Sequence, residues 1–361
     1  MLACKRFFSI CREPRLKAPG LTRSDGNGSV NRLHNSGYNS SRLGFRGVED
    51  LGGGLSASFW LEAGLANDDG QGAGTNANNQ AVGAFNPVTG ANAPVRAGTQ
   101  GLTFNRRSTV SLNGGFGEVR LGRDYTPSFW NHTAFDPFGT NGVGGTSNLS
   151  LGLGTTTSVQ TTVRASNSIG YFLPGNLGGF YGQAQYAFGE NASNAGATKN
   201  DGRYIGFRVG YANGPLNVSG AYGITKLAAL DDYKNANIAG SYNLGVANLM
   251  AHWNQEKVGN LSGVGVTNTT YMIGALVPVG AGEFRISLTS GKAKGGGFTV
   301  AKGNQIALGY VHNLSKRTAL YTTYARISNG NGLAPSYHNG RAATTLGGDT
   351  SGFDIGIKHS F

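Results

Sequence analysis

From about residue 40 to its end the chain repeats one pattern: roughly ten residues of alternating apolar and polar side chains, a short glycine-rich turn, a second such segment, then a longer polar stretch. Alternation with period two is the mark of a strand with two unlike faces. In "FYGQAQYAF", Phe180, Gly182, Ala184, Tyr186 and Phe188 share one face, while Tyr181, Gln183 and Gln185 share the other. "LNVSGAYGIT", "TYMIGALVPV", "EFRISLTSG" and "QIALGYVHN" repeat the division. The chain finishes on "FDIGIKHSF", with Phe353, Ile355, Ile357 and Phe361 opposed to Asp354 and Lys358. Termini ordinarily end as polar tails, so a half-apolar final strand needs something apolar to lean on.

The turns are as regular as the strands. "EDLGGGL", "NGGFGEV", "PGNLGGF", "ANGPL", "NLGVAN", "PVGAGEF" and "NLSKRTA" close seven hairpins, and the connections between them, centred on 64–100, 125–161, 190–201, 227–234, 257–268, 292–302 and 329–349, are longer. Short turns at one end and long loops at the other, with aromatic residues near strand ends, form the weak but repeated signature of a transmembrane barrel. The expected fold class is therefore all-β, an antiparallel transmembrane β-barrel. Counting from "SSRLGFRG", the hairpins supply fourteen strands and the C-terminal segment a fifteenth. A single-chain bacterial barrel closes on an even number, because an open edge in lipid leaves backbone groups unpaired. A further strand is thus expected before residue 40, yet "NGSVNRLHNSGY" alternates poorly. Arg6, Arg12 and Arg15 interrupt the apolar patch that a signal peptide would need. Residues 1–30 read as an atypical N-terminal segment without a clear signal peptide or first strand, and 31–361 as the barrel, which leaves the first strand missing or replaced.

Composition excludes several alternatives. Apolar residues make up 39% of the chain, charged residues 13%, and 61 residues are glycine. That is little charge for a soluble surface and no basis for apolar helices of about 20 residues. The net charge of +12 implies an anionic partner, but Lys and Arg are scattered singly along strands, so nucleic acid is not expected. Cys4 and Cys11 offer no disulfide framework to the rest of the chain. The six histidines show no ligand spacing, and no Ser/His/acid or paired-carboxylate arrangement stands out. Neither a metal, a cofactor nor an enzyme activity is expected.

The motifs "SSRLGFRGVEDLGGGLSASFWLEAG", "FNRRSTVSLNGGFGEVRLGRD", "NSIGYFLP" and "GYVHNLSKRTALYTTYA", together with the terminal Phe361, resemble the general porins of Gram-negative bacteria, most closely those of beta-proteobacteria. The resemblance implies a sixteen-stranded outer-membrane barrel, a homotrimer, and a water-filled channel for passive diffusion of small hydrophilic solutes. It also implies that Phe361 is the signature read by the barrel-assembly machinery, and that a loop within 64–100 latches onto a neighbouring subunit. The family's cleaved signal and "VTLYGxxDxG" first strand are not visible in the first 30 residues.

Parity predicts the lumen lining. With Leu43 and Phe45 facing lipid, Arg42 and Arg46 turn inward; with Val110 and Leu112 outward, Arg107 turns inward; with Ile169 and Tyr171 outward, so does Arg164. Arg120 and Arg208 also fall inward. By resemblance, Arg42, Arg107 and Arg164 match the basic cluster on the wall of the porin constriction, and the loop at about 125–161 is the one that folds in to narrow the barrel. Its "FDPFGTNG" supplies Asp136, and Glu62, inward by parity, is a second candidate constriction acid. So few acids leave the arginines under-compensated, and the channel is expected to prefer small anions. The alternatives from other classes are a monomeric outer-membrane β-barrel enzyme and a surface adhesin.

Overall fold

The computed structural model describes residues 7–13, 18–24, 28–66, 70, 72, 74–75, 78–80, 85–86, 91–92, 102–330, 337–339 and 347–360. The strands in chain order are β1 (Phe7–Glu13), β2 (Ala18–Ser24), β3 (Gly28–His34), β4 (Arg42–Gly52), β5 (Leu55–Gly64), the two-residue β6 (Phe85–Asn86) and β7 (Ala91–Asn92), β8 (Arg107–Gly114), β9 (Gly117–Tyr125), β10 (Arg164–Phe172) and β11 (Phe180–Ala187). They continue with β12 (Tyr204–Asn213), β13 (Leu216–Thr225), β14 (Tyr233–Asn243), β15 (Asn248–Leu261), β16 (Val264–Val279), β17 (Gly282–Gly295), β18 (Phe298–Asn313), β19 (Thr318–Asn329) and β20 (Thr350–His359).

From β4 to β20, β6 and β7 apart, every strand pairs antiparallel with its neighbour in sequence, which accounts for all fifteen strands read from the alternation. All seven short turns fall between paired strands. The β4–β5 turn shows why glycine is needed there: Gly52, Gly53 and Gly54 have φ of 82°, 60° and 79°, a region closed to most side chains.

Segment 1–30 departs from its sequence reading. β1 pairs with β4 (Ile10↔Phe45), β2 with β20 (Leu21↔Phe353), and β3 with β2 (Leu21↔Asn31), so strands do flank both edges of the fifteen. Among the described residues no ladder joins β1 to β3, which are the two ends of this 18-stranded sheet. Register explains the miss. These segments form backbone ladders, which any sequence other than one rich in proline supports, without the clean alternation that marks the others.

The two faces separate as parity requires. Ile238, Tyr271 and Ile273 are each about 60% exposed on the outward face. On the inward face, Asn237, Asn254, Glu256, Asn268, Gln305 and Asp354 are buried, beneath a loop that enters the lumen. Apolar groups left in the open and polar groups taken out of it is the inverse of a soluble protein, and fits a wall between lipid and an internal polar space.

Candidate functional site

The connection between β9 and β10 is the element that fills this space. It begins with helix α1 (Pro127–Ala134), whose first position holds Pro127, a residue already set to helical φ and lacking the N–H that would go unpaired there. It continues through the short helices α2 (Ser147–Ser150) and α3 (Gly152–Thr156). Inward side chains from successive strands hold it. Asn237 of β14 accepts from Asn131 Nδ2 at 2.9 Å and donates to Ser128 O at 3.2 Å. Asn254 of β15 donates to Ser150 O at 2.6 Å, and Asn268 of β16 to Leu149 O at 3.0 Å. Gln305 of β18 donates to Gly144 O, and the Val143 N–H donates to Asp354 of β20. At Gly274 on β16 the loop packs close against the wall: a Cβ there would sit 2.7 Å from Pro137 Cγ.

Glu256 of β15 is the strongest of these anchors. Its carboxylate accepts from the N–H groups of Leu153 and Gly154, each at 2.9 Å, from Tyr233 Oη at 2.8 Å and from Asn268 Nδ2 at 2.9 Å. A buried charge survives only when so surrounded by donors.

The loop leaves open a cavity of about 620 Å³ against the opposite wall, and here the predicted residues meet: Arg42, Glu62, Arg107 and Arg164 all line it. Arg285 of β17 lines the same cavity, so the sheet curls far enough round to bring β4 and β17 to one space. The charge is lopsided. Five arginines line the cavity (Arg42, Arg106, Arg107, Arg164 and Arg285) against two carboxylates, Glu62 and Asp124. Arg106 holds Glu62 at 2.6 Å, which leaves the Arg42–Glu62 approach at a looser 3.6 Å. Arg120 holds Asp124 at 2.5 Å, which leaves Arg107 at 3.7 Å. Each carboxylate is thus committed to one arginine. The Arg106 guanidinium, at the threshold of β8, keeps its proton more firmly than usual, because Tyr125 and Glu62 together outweigh the burial that opposes it.

Aromatic rings back the remaining cations, of which Arg285 is also ion-paired with Glu283 at 2.8 Å. The Arg107 guanidinium lies 4.3 Å from the Trp60 ring, Arg164 4.5 Å from Tyr125, and Arg285 4.5 Å from Tyr38. A ring face satisfies charge and not N–H direction, so the in-plane donors of a stacked guanidinium still seek acceptors. Arg164 Nε has no hydrogen-bond partner among the described residues.

The other predicted residues divide. Arg46 is exposed and lies 5.4 Å from the same Trp60 ring, in a second cavity of about 350 Å³ shared with Arg107, so the basic track continues toward the short-turn end. Arg120 faces inward but is neutralised by Glu118 at 2.7 Å and Asp124. Arg208 donates to Asn131 Oδ1 at 2.6 Å and is therefore a strut for α1. Asp136 does not line the cavity. It is buried inside the loop and accepts the N–H groups of Phe138, Thr140 and Thr146, each at 2.9 Å. Burial pushes its carboxyl above the usual range, with those N–H groups opposing the rise. A short acid at the head of "DPFGT" turns back onto its own backbone, as Asp commonly does at turns. Phe361 lies outside the described residues.

Asp124 and Arg285 were within reach of parity, since Asp124 shares a face with Arg120 and Arg285 falls between Phe284 and Ile286. Arg106 precedes its strand and carried no such signal.

Comparison with known proteins agrees with this geometry. The family model for the Gram-negative porin matches residues 18–332. Outer membrane porin protein 32 of Delftia acidovorans is 39% identical over 342 residues, spanning 91% of this chain and 87% of that protein. Among solved structures, the anion-selective porin from Comamonas acidovorans superposes with a TM-score of 0.77 at 35% identity, covering 99% of this chain and 100% of that one. The trimer form of OmpT from Vibrio cholerae shares the fold, with a TM-score of 0.65 at 14% identity over 100% of both chains. A fifteen-strand antiparallel ladder with outward apolar faces, a loop seated in its lumen and this sustained likeness have one reading: the chain belongs to the Gram-negative porin family, and forms an outer-membrane channel for passive diffusion.

Proposed function

We propose that the channel narrows at the cavity between the infolded loop and the β4–β10 wall, and that it prefers small anions. The observation that carries this reading is the imbalance of five arginines against two carboxylates lining one space. Arg42, Arg107 and Arg164 form the basic cluster; Arg106 and Glu62 are its internal ion pair; Arg46 extends the track, and Arg285 faces it. Fixed charge of one sign at a narrow point selects ions by field and close contact, with no chemistry required, so the chain is a channel and not an enzyme. The guanidinium suits this work because it stays charged at any physiological pH and its planar fork fits carboxylate and phosphate oxygens. The anion selectivity named for the Comamonas relative supports the same reading, and the trimer form of the Vibrio neighbour supports a homotrimer. The barrel-assembly machinery would act on Phe361.

Reversal potentials in planar bilayers under a salt gradient test the proposal. An anion-preferring sign is expected at neutral pH, and it should weaken in Arg107→Ala and Arg164→Ala. A cation-preferring wild type would overturn it.

A further inference from the structure

A second cavity adjoins the arginine cavity at the tip of the infolded loop. About 290 Å³ in volume, it lies between that tip, the chain running from β3 into β4, and the connection from β19 to β20. Each of these segments joins strands at the long-loop end. Thr140 and Asn141 border both cavities, and Ser40 Oγ, on the arginine side, donates to Asn141 Oδ1 at 3.0 Å. A hydrogen bond between the chain before β4 and the loop tip thus stands where the two spaces meet. The floor of the second space is preformed: Gly142, at φ 66°, lets the tip rest on Gly37 O, where any Cβ would collide.

The two linings are unlike. Where the first carries fixed charge, the second offers amides and hydroxyls: Asn35, Ser36, Thr140, Asn141, Asn148 and Asn339. Among the described residues no Lys, Arg, Asp or Glu lines it, and Val143 is its sole apolar side chain. His34, also in the lining, meets Asp354 of β20 at 3.0 Å, and the same carboxylate accepts the Val143 N–H at 3.1 Å. An anion gains little beside a ring that already faces a carboxylate, a cation finds no acid in the lining, and an apolar group would strand the amides. One atom asks for a particular partner. Asn339 is 3% exposed; its Nδ2 donates to Ala325 O at 3.1 Å, while its Oδ1 has no hydrogen-bond partner among the described residues. Buried polar atoms are met in the great majority of cases, so this oxygen awaits a donor.

We infer that this cavity is a binding subsite for an uncharged polyhydroxylated solute of hexose size, one hydroxyl donating to Asn339 Oδ1 and the others exchanging hydrogen bonds with the surrounding amides. The volume is that of about ten water molecules, whose hydrogen bonds such a solute reproduces as it displaces them. Neutral solutes thereby have a station beside the arginine cavity and separate from it. The inference does not rest on the anion preference: a cation-preferring channel would overturn that reading and leave this one intact.

The test uses the full-length protein in planar bilayers, with glucose as the probe. Its comparison is a methyl-capped polyether of equal mass, which accepts hydrogen bonds and donates none. Glucose is expected to add saturable current noise in symmetrical potassium chloride, with a half-saturating concentration that inorganic phosphate leaves unchanged. The polyether should lower the current without saturating. In Asn339→Ala half-saturation should rise by about threefold or more, as the loss of one neutral hydrogen bond predicts. Asn339→Leu, which fills the cavity, should abolish the saturable noise. Conductance and reversal potential in sugar-free salt should stay at wild-type values in both, which marks them as folded channels; the wild-type comparisons decide the matter whether or not a variant folds. Arg164→Ala should shift the reversal potential and leave the glucose response in place. Non-saturating glucose noise, a polyether response equal to that of glucose, displacement by phosphate, unchanged half-saturation in Asn339→Leu, or a glucose response lost in Arg164→Ala would each overturn the inference.

Discussion

Arg107 is held from three sides: the Trp60 ring at 4.3 Å, Thr109 Oγ1 at 3.0 Å and Asp124 at 3.7 Å. Truncating it removes the one arginine that borders both cavities. Arg107→Ala should therefore reduce the chloride-to-potassium permeability ratio by severalfold, read from reversal potentials, with melting little changed. Glu62→Gln should act in the opposite direction. It frees Arg42 and Arg106 from their shared carboxylate, so anion preference should rise by about two- to threefold, an energy of roughly 0.5 kcal/mol at the constriction; an unchanged ratio would mean that Glu62 does not face the conducting path. Parity found Arg42, Arg107, Arg164 and Glu62 because a strand reports the side of each residue every second position. It was silent on Asp136, which lies in a loop, where the backbone around "FDPFGT" and not any strand decides what a carboxylate meets.

The infolded loop is seated by side chains from β14, β15, β16, β18 and β20, and Glu256 gathers two of its N–H groups at once. Glu256→Ala leaves those donors and Tyr233 without their acceptor, at about 1–3 kcal/mol for each buried group left unpaired. Expected outcomes are a lower melting temperature and a wider, noisier conductance distribution in single-channel records, as α3 leaves the wall. The loop also carries a titratable element. His132 of α1 is buried with its ring 4.6 Å from that of His252 on β15, and burial, assisted by that neighbour, holds His132 well below its ordinary value of 6.5. A base whose folded pKa is depressed contributes stability above the unfolded value and loses it as pH falls below. The seat of the loop should therefore weaken as pH drops below about 6.5. Thermal melts between pH 7.5 and 5 should show that decline in wild type and a shallower one in His132→Gln; equal slopes would sink the assignment. Sequence placed this loop and its infolding by resemblance, but its anchors are single Asn, Gln, Glu and Asp residues scattered over five strands, which no local pattern brings together.

At the scale of the molecule, all fifteen strands and seven turns were legible, because lipid outside and polar contents inside force every strand to alternate. The edges were not, since β1, β2 and β3 pair through backbone without that alternation. The charge imbalance of the cavity has its own consequence at this scale. Screening length shrinks from about 10 Å at 0.1 M salt to about 3 Å at 1 M, so a field from arginines spread around a cavity should be felt far less at high salt. Anion preference measured near 0.1 M should fall steeply toward 1 M, whereas selectivity set by pore width alone would hold steady. One further consequence belongs to the rings behind the arginines. Trp60, Tyr125 and Tyr38 each back a guanidinium, so these charges are fixed before any ion arrives and need not swing to meet it. A passing ion crosses a static electrical landscape, and the open-channel current should be correspondingly quiet, with little excess noise above the thermal floor.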